Sequence, residues 1–256
     1  MTINKAVWVC AAWIITAFLF NVGIFFIQGQ QKALEFLTGY VIELSLSIDN
    51  LFVFFLIFSH FKLDLTQQSR ILSWGVLGAQ LMRGIFILGG VALLKHFAFV
   101  IYFFGILLVF SGFKLFFKKN KSINLEQNVL LRFLKRFVPE NFSTFVIALI
   151  AVETADLIFT VDSIPAVLAV TKDPFIVYSS NIFAILGLRS MYLVLSGAID
   201  KFQYLHYTLG TILIFVGIKM FTDPIWHMPI GVALGFIALV LTIFTSVSFF
   251  IKKNNL

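Results

Sequence analysis

Long apolar stretches, interrupted at intervals by charged and turn-forming residues, set the rhythm of this sequence. With a window of about 19 residues, and with charges, Gly, Pro and Asn marking the ends, eight apolar spans fall at approximately 5–27, 34–59, 71–94, 97–117, 143–170, 175–198, 204–221 and 229–251. A helix needs roughly 17–25 such residues to cross a hydrocarbon core. The first span begins after Lys5 and ends in N-V-G-I-F-F-I-Q-G-Q without a small-x-small cleavage site, which predicts a retained anchor. The expected fold is therefore an all-α membrane protein with about eight transmembrane helices.

The composition agrees with that pattern. Of 256 residues, 60% are hydrophobic and 12% charged, against roughly a quarter charged in soluble domains. A soluble globular enzyme is excluded. The net charge of +7 does not imply a nucleic-acid partner, because the basic residues sit in short gaps between apolar runs. They report orientation instead. One set of span ends carries Lys5, Lys62, Arg70, Lys118, Lys119, Lys121, Arg132, Lys135, Arg136, Lys201, Lys252 and Lys253; the other carries Lys32, Lys95, Lys172 and Lys219. Twelve against four predicts a cytoplasmic location for the first set and for both termini. Cys10 is the single cysteine, so no intrachain disulfide, C-x-x-C pair or thiolate metal cage is available.

The chain also repeats itself. E-L-S-L-S-I-D-N at 43–50 resembles D-L-I-F-T-V-D-S at 156–163, and Y-F-F-G-I-L-L-V-F-S-G-F-K-L-F at 102–116 parallels Y-T-L-G-T-I-L-I-F-V-G-I-K-M-F at 207–221. A weaker match between them pairs Arg83 with Arg189. Each unit has three crossings, so the second copy enters the membrane from the opposite face, giving a three-plus-three inverted repeat. The expected organisation is one polytopic domain over 1–256: a first helix at 5–27, repeat one at 34–117, a basic cytoplasmic linker at 118–141, repeat two at 143–221 and a last helix at 229–251. The linker contains L-L-R-F-L-K-R-F, a short amphipathic pattern.

Five of the twelve acidic residues lie inside spans: Glu43, Asp49, Glu153, Asp156 and Asp162. A centred charge costs about 2.5–3.5 kcal/mol on insertion scales, so these acids need partners, protons or a bound cation. At 100° per residue, Glu153, Asp156, Thr160 and Ser163 form one polar stripe, and Glu43, Ser47 and Asn50 form its counterpart. Asp49 and Asp162 fall about a third of a turn off their stripes. Pro165 removes the hydrogen bond to the carbonyl of Val161 and is expected to kink the helix beside Asp162. Arg83 and Arg189 are expected to neutralise two of the acids. The donors are all hard oxygens, which ranks Mn²⁺, Mg²⁺ or Ca²⁺ above Zn²⁺ or Cu⁺. His60, His96, His206 and His227 sit at span ends, as interfacial residues do.

These residues carry a resemblance to the TerC family of integral membrane proteins, and to its Alx-like branch in particular. It rests on F-L-T-G-Y-V-I-E-L-S-L-S-I-D-N-L-F-V-F, on V-L-G-A-Q-L-M-R, and on the long block from V-E-T-A-D-L-I-F-T-V-D-S-I-P to S-S-N-I-F-A-I-L-G-L-R-S-M-Y. The resemblance implies a role in manganese export and metal homeostasis, in a bacterial plasma (inner) membrane. By position, it places the family's motifs on Glu43, Asp49, Asn50, Glu153, Asp156, Asp162 and Ser163, with Asn181 and Arg189 in a further motif. This chain departs from the branch at Leu44, where a lysine is usual, and at Thr154 and Ala155, where Leu-Ser is usual.

The expected function is export of Mn²⁺ or a related divalent ion by alternating access. Glu43, Asp49, Asp156 and Asp162 would ligate the ion, Asn50 and Glu153 would complete the metal site, and Glu153 would tune the charge or carry a proton. The alternative is a non-transporting membrane partner in metal loading or envelope stress. No enzymatic activity and no prosthetic group are expected; the expected partners are the bilayer and the metal ion.

Overall fold

The computed structural model describes residues 3–97, 99–117, 143–196, 205–223 and 225–254. The basic linker and its amphipathic pattern lie outside these residues. So do Lys201 and the side chain of Asp49.

The described chain is helical, with no strand among the described residues: α1 (Ile3–Gln28), α2 (Gln30–His60), α3 (Leu65–His96), α4 (Val100–Phe116), α5 (Thr144–Leu168), α6 (Pro174–Leu186), α7 (Leu188–Ser196), α8 (Leu205–Thr222) and α9 (Ile230–Asn254). Five stretches are long and apolar enough to cross a membrane, namely α1, α2, α3, α5 and the α6–α7 pair; α4, α8 and α9 supply shorter apolar stretches. The protein is an all-α membrane protein.

Local signals fix several ends. Gly29, at φ 90°, occupies the left-handed region that glycine enters without penalty. It lets the chain double back, so that Phe20 on α1 meets Phe36 on α2 with ring centroids 5.4 Å apart. Asp64 and Gln67 form a reciprocal capping box at the start of α3, which satisfies two otherwise orphaned N–H groups. Ser143 caps α5 and Asp173 caps α6, where Pro174 takes the first-turn position that needs no N–H. Pro165 does not end α5, which runs three residues further to Leu168. The helix is continuous past Asp162, and a discontinuity lies at Gly187, between α6 and α7.

Inside a bilayer, helices associate through close packing of small residues, since lipid is as apolar as they are. The α4–α8 seam shows this. A Cβ added at Gly112 would lie 2.7 Å from the Gly210 carbonyl oxygen, and one at Gly210 would lie 2.9 Å from that of Gly112. The pair Gly105 and Gly217 is equally close, at 3.2 and 2.8 Å. Because Gly105 is equivalent to Gly210 in the repeat, and Gly112 to Gly217, these contacts exchange with one another under a two-fold operation. The flanking contacts exchange as well. Gly112 meets Ile214 as Gly217 meets Val109, and Tyr102 stacks on Phe221 as Tyr207 packs on Phe116. Likewise α2 packs on α6 as α5 packs on α3. The two repeats are thus antiparallel halves around a pseudo-two-fold axis.

Replacing Gly112 or Gly217 with Ala should cost about 1–3 kcal/mol, because backbone must move to admit the methyl group. Gly23, where an added Cβ would meet nothing within 4 Å, should gain from the same change. Thermal unfolding in detergent checks this. Equal responses at Gly112 and Gly23 would contradict the seam.

Candidate metal site

Arg83 joins the two halves of the repeat. Its side chain is 1% exposed and reaches from α3 to both halves of the repeat. Nε and Nη2 donate to the two carboxylate oxygens of Asp156 at 3.2 and 3.0 Å. Nη1 donates to Glu43 Oε1 and, at 3.3 Å, to Asn181 Oδ1. Glu43 on α2 and Asp156 on α5 are repeat equivalents, so one guanidinium bridges two equivalent carboxylates at the junction of the halves. Arginine alone has the donor fork for a bidentate bond plus a second carboxylate.

That node is under-neutralised, with two carboxylates on one guanidinium. Glu153 adds a third, one turn earlier on α5. It lies against α3, where a Cβ added at Gly78 would be 2.5 Å from its Oε1, and it lines the same small cleft as Asp156. Glu153 has no ion pair among the described residues. Glu43 Oε2 and Asn181 Nδ2 are buried without a hydrogen-bond partner, as are the hydroxyls of Ser47 and Ser163.

Asp162 stands elsewhere. Ser111 on α4 donates to its Oδ1 at 2.8 Å, and the two share a cavity of about 890 Å³ with Asn50 and Lys114. Asn50 comes from α2 and is 3% exposed, so this cavity also joins residues of both repeats. Its remaining wall is apolar, including Phe110, Phe113 and Phe159.

The predicted acids are therefore divided between two places, the Arg83 node and the Asp162 cavity. Among the described residues, no group of three or more His, Cys, Asp or Glu side chains is poised to hold a metal. Two supporting expectations change. Arg189 is exposed and donates to Ser73 at 2.9 Å, leaving the acids to Arg83. The Thr160 hydroxyl is used within its own helix, donating to the Asp156 carbonyl at 2.8 Å, a common habit of threonine in helices.

Two residues carry no signal in the sequence. Ser111 is a lone hydroxyl in an apolar run, and only its tertiary position makes it a partner of Asp162. Glu35, near the start of α2, looks interfacial yet is 6% exposed and accepts from Thr171 Oγ1 at 2.5 Å and from Lys32 at 2.9 Å.

A family model described as the integral membrane protein TerC family matches residues 28–256. The chain belongs to the TerC family. Among its relatives, an uncharacterized membrane protein of Myxococcus xanthus is 44% identical over 245 residues, covering 89% of this chain and 77% of the relative. The Alx protein of Escherichia coli (strain K12), carried under the provisional description of membrane-bound redox modulator, is 40% identical over 260 residues, 92% of this chain and 81% of its own length. The chloroplastic thylakoid membrane protein TERC of Arabidopsis thaliana is 39% identical over 245 residues, 89% of this chain and 64% of its own length. No solved structure matches the chain. This TerC-family match includes both repeats and every residue of the two acidic sites.

Proposed function

We propose that this TerC-family protein exports a hard divalent cation, with Mn²⁺ as the first choice, across a bacterial plasma membrane whose cytoplasmic side holds both chain termini. The observation that carries this reading is the buried surplus of carboxyl groups over basic groups where the repeats meet. Glu43 and Asp156 share the single guanidinium of Arg83, and Glu153 lines the same small cleft as Asp156. Unneutralised carboxylates within a membrane-spanning bundle mark a cation or proton path. All the side chains involved offer hard oxygen or amide donors, the preference of Mn²⁺, Mg²⁺ and Ca²⁺.

In this reading Arg83 is a tethered counter-cation. It holds Glu43 and Asp156 while the substrate ion is elsewhere, and an arriving divalent ion competes with it for carboxylate oxygens. The Asp162 cavity, with Asn50 and with Asp49 on the same helix, is the second station. The redox description of the Alx relative is accommodated through metal supply, because a chain with Cys10 alone has no dithiol couple of its own.

Whole-cell manganese, magnesium, calcium and zinc contents, measured with and without the protein, test the proposal. Manganese should fall when the protein is expressed. Unchanged contents of all four metals would overturn export. Deleting about 120–137 tests the alternative of a non-transporting partner acting through the linker: export should persist without that segment.

A further inference from the structure

At the end of the bundle where α2, α6 and α9 begin and α3, α5 and α8 end lies an open bowl of about 840 Å³. Lys32, Lys95, Lys172 and Lys219 all line it. These four come from four separate places in the sequence, and they are all the basic residues that the span-end tally assigns to this face. Three carboxylates accompany them, Glu35, Asp173 and Asp223, together with His227.

Two of the lysines are committed. Lys32 Nζ lies 2.9 Å from both Glu35 Oε2 and Asp173 Oδ2, tying the start of α2 to the α5–α6 connection. Partial burial works against ionisation of Asp173, but the Lys32 ammonium and the backbone N–H groups of Ile176 and Phe175 outweigh it and hold its carboxyl below the usual range. It stays charged at neutral pH, and Lys32 stays engaged. Lys219 is 5% exposed, donates to the Ala169 carbonyl at 2.8 Å and lies 3.9 Å from Asp223. Lys95 and Lys172 have no ion pair among the described residues. Four lysines against three carboxylates leave one basic group in surplus, and the lysines without an ion pair are those two.

Two further features suit an anion. Ile230 and Gly231, the first residues of the 25-residue helix α9, open onto the bowl. The leading N–H groups of a helix have no acceptor within it and present the positive end of its dipole. Apolar side chains line it as well, among them Leu34, Ile101, Leu168 and Met220. Lysines and apolar side chains lining one bowl at the helix ends match a phosphate attached to an apolar body.

We propose that this bowl binds a phosphate-bearing anion, held by Lys95, Lys172 and the N-terminus of α9. It is separate from the acidic sites, and it stands whether or not the protein exports metal. The same chemistry could come from a phospholipid headgroup or from free phosphate, and the test separates them.

The purified full-length protein in neutral detergent is titrated with phosphatidylglycerol, with phosphatidylcholine and with inorganic phosphate, and thermal unfolding is followed. Stabilisation by phosphatidylglycerol alone identifies the lipid; stabilisation by inorganic phosphate as well identifies the phosphate group itself. In either case the Lys95→Gln/Lys172→Gln variant should bind about tenfold or more weakly, since each lysine near an anionic surface contributes about a factor of five. Lys95→Arg/Lys172→Arg should restore binding. No response to any anion, or equal responses from the wild type and the glutamine variant, would overturn the proposal. If the glutamine variant does not fold, Asp223→Asn gives the same reading with opposite sign: removing an acid should tighten binding several-fold, and unchanged binding would count against the site.

Discussion

Arg83→Met should lower the stability of the folded protein by about 3–5 kcal/mol, the usual cost of stripping one partner from a buried ion pair. The substitution keeps a long, slender side chain but leaves the carboxylates of Glu43 and Asp156, 0% and 7% exposed, facing each other without a counter-charge. Asn181 also loses its donor. Arg83→Lys should recover only part of this, because an ammonium can meet one carboxylate well but cannot span both. Neutralising the whole triad, as Arg83→Met with Glu43→Gln and Asp156→Asn, should restore much of the stability, since an uncharged set carries no unpaired charge. The folded fraction in detergent extracts, read by size-exclusion profile and melting temperature, decides it. Wild-type stability in the single Arg83→Met variant would refute the role given to this residue.

Under the proposed function, Asp162→Asn should abolish metal export while leaving the fold intact. The residue is half-buried in a roomy cavity, and an amide of the same shape can still accept from Ser111. What it loses is the charge that attracts the ion. Ser111→Ala keeps the charge and removes the group that orients it, so its effect should be smaller, about a 10–100-fold loss of apparent Mn²⁺ affinity. Arg189→Gln, at an exposed position bonded to Ser73, should leave the melting temperature of this state nearly unchanged. Mn²⁺ flux into proteoliposomes, at matched protein level, orders the Asp162 and Ser111 variants. Normal flux through Asp162→Asn would remove the cavity from the path.

The helices are largely legible in the sequence because their apolar runs are long and their ends are chemically marked. Gly29, Asp64, Ser143 and Asp173 each stand at a boundary. The repeat is legible too, and the glycine seam between α4 and α8 follows from the spacing that pairs Gly105 with Gly210 and Gly112 with Gly217. Helical periodicity also places Glu43 and Asp156 as equivalents. It cannot say how the faces meet. A helical wheel puts Asp162 and Asp156 on one span but does not show that they look toward different helices, α4 for one and α3 for the other. Nor does it separate Arg83 from Arg189, which hold matching positions in the repeat and opposite positions in the molecule. Pro165 stands in the last turn of α5, so only three residues of helix follow it.

The unequal fates of those two arginines have a consequence for motion. In inverted-repeat transporters, the state open to the other side is reached when the halves exchange conformations. If this chain is the proposed transporter, the exchange would bring Arg189 onto Asp156 and Glu43 and carry Arg83 toward Ser179, the counterpart of Ser73 in the repeat. The central carboxylates would then never lack a guanidinium for long, but its owner would change with each half-cycle. Arg83 and Arg189 would work as two hands passing one load, and the hand in use would report which side of the membrane the protein faces.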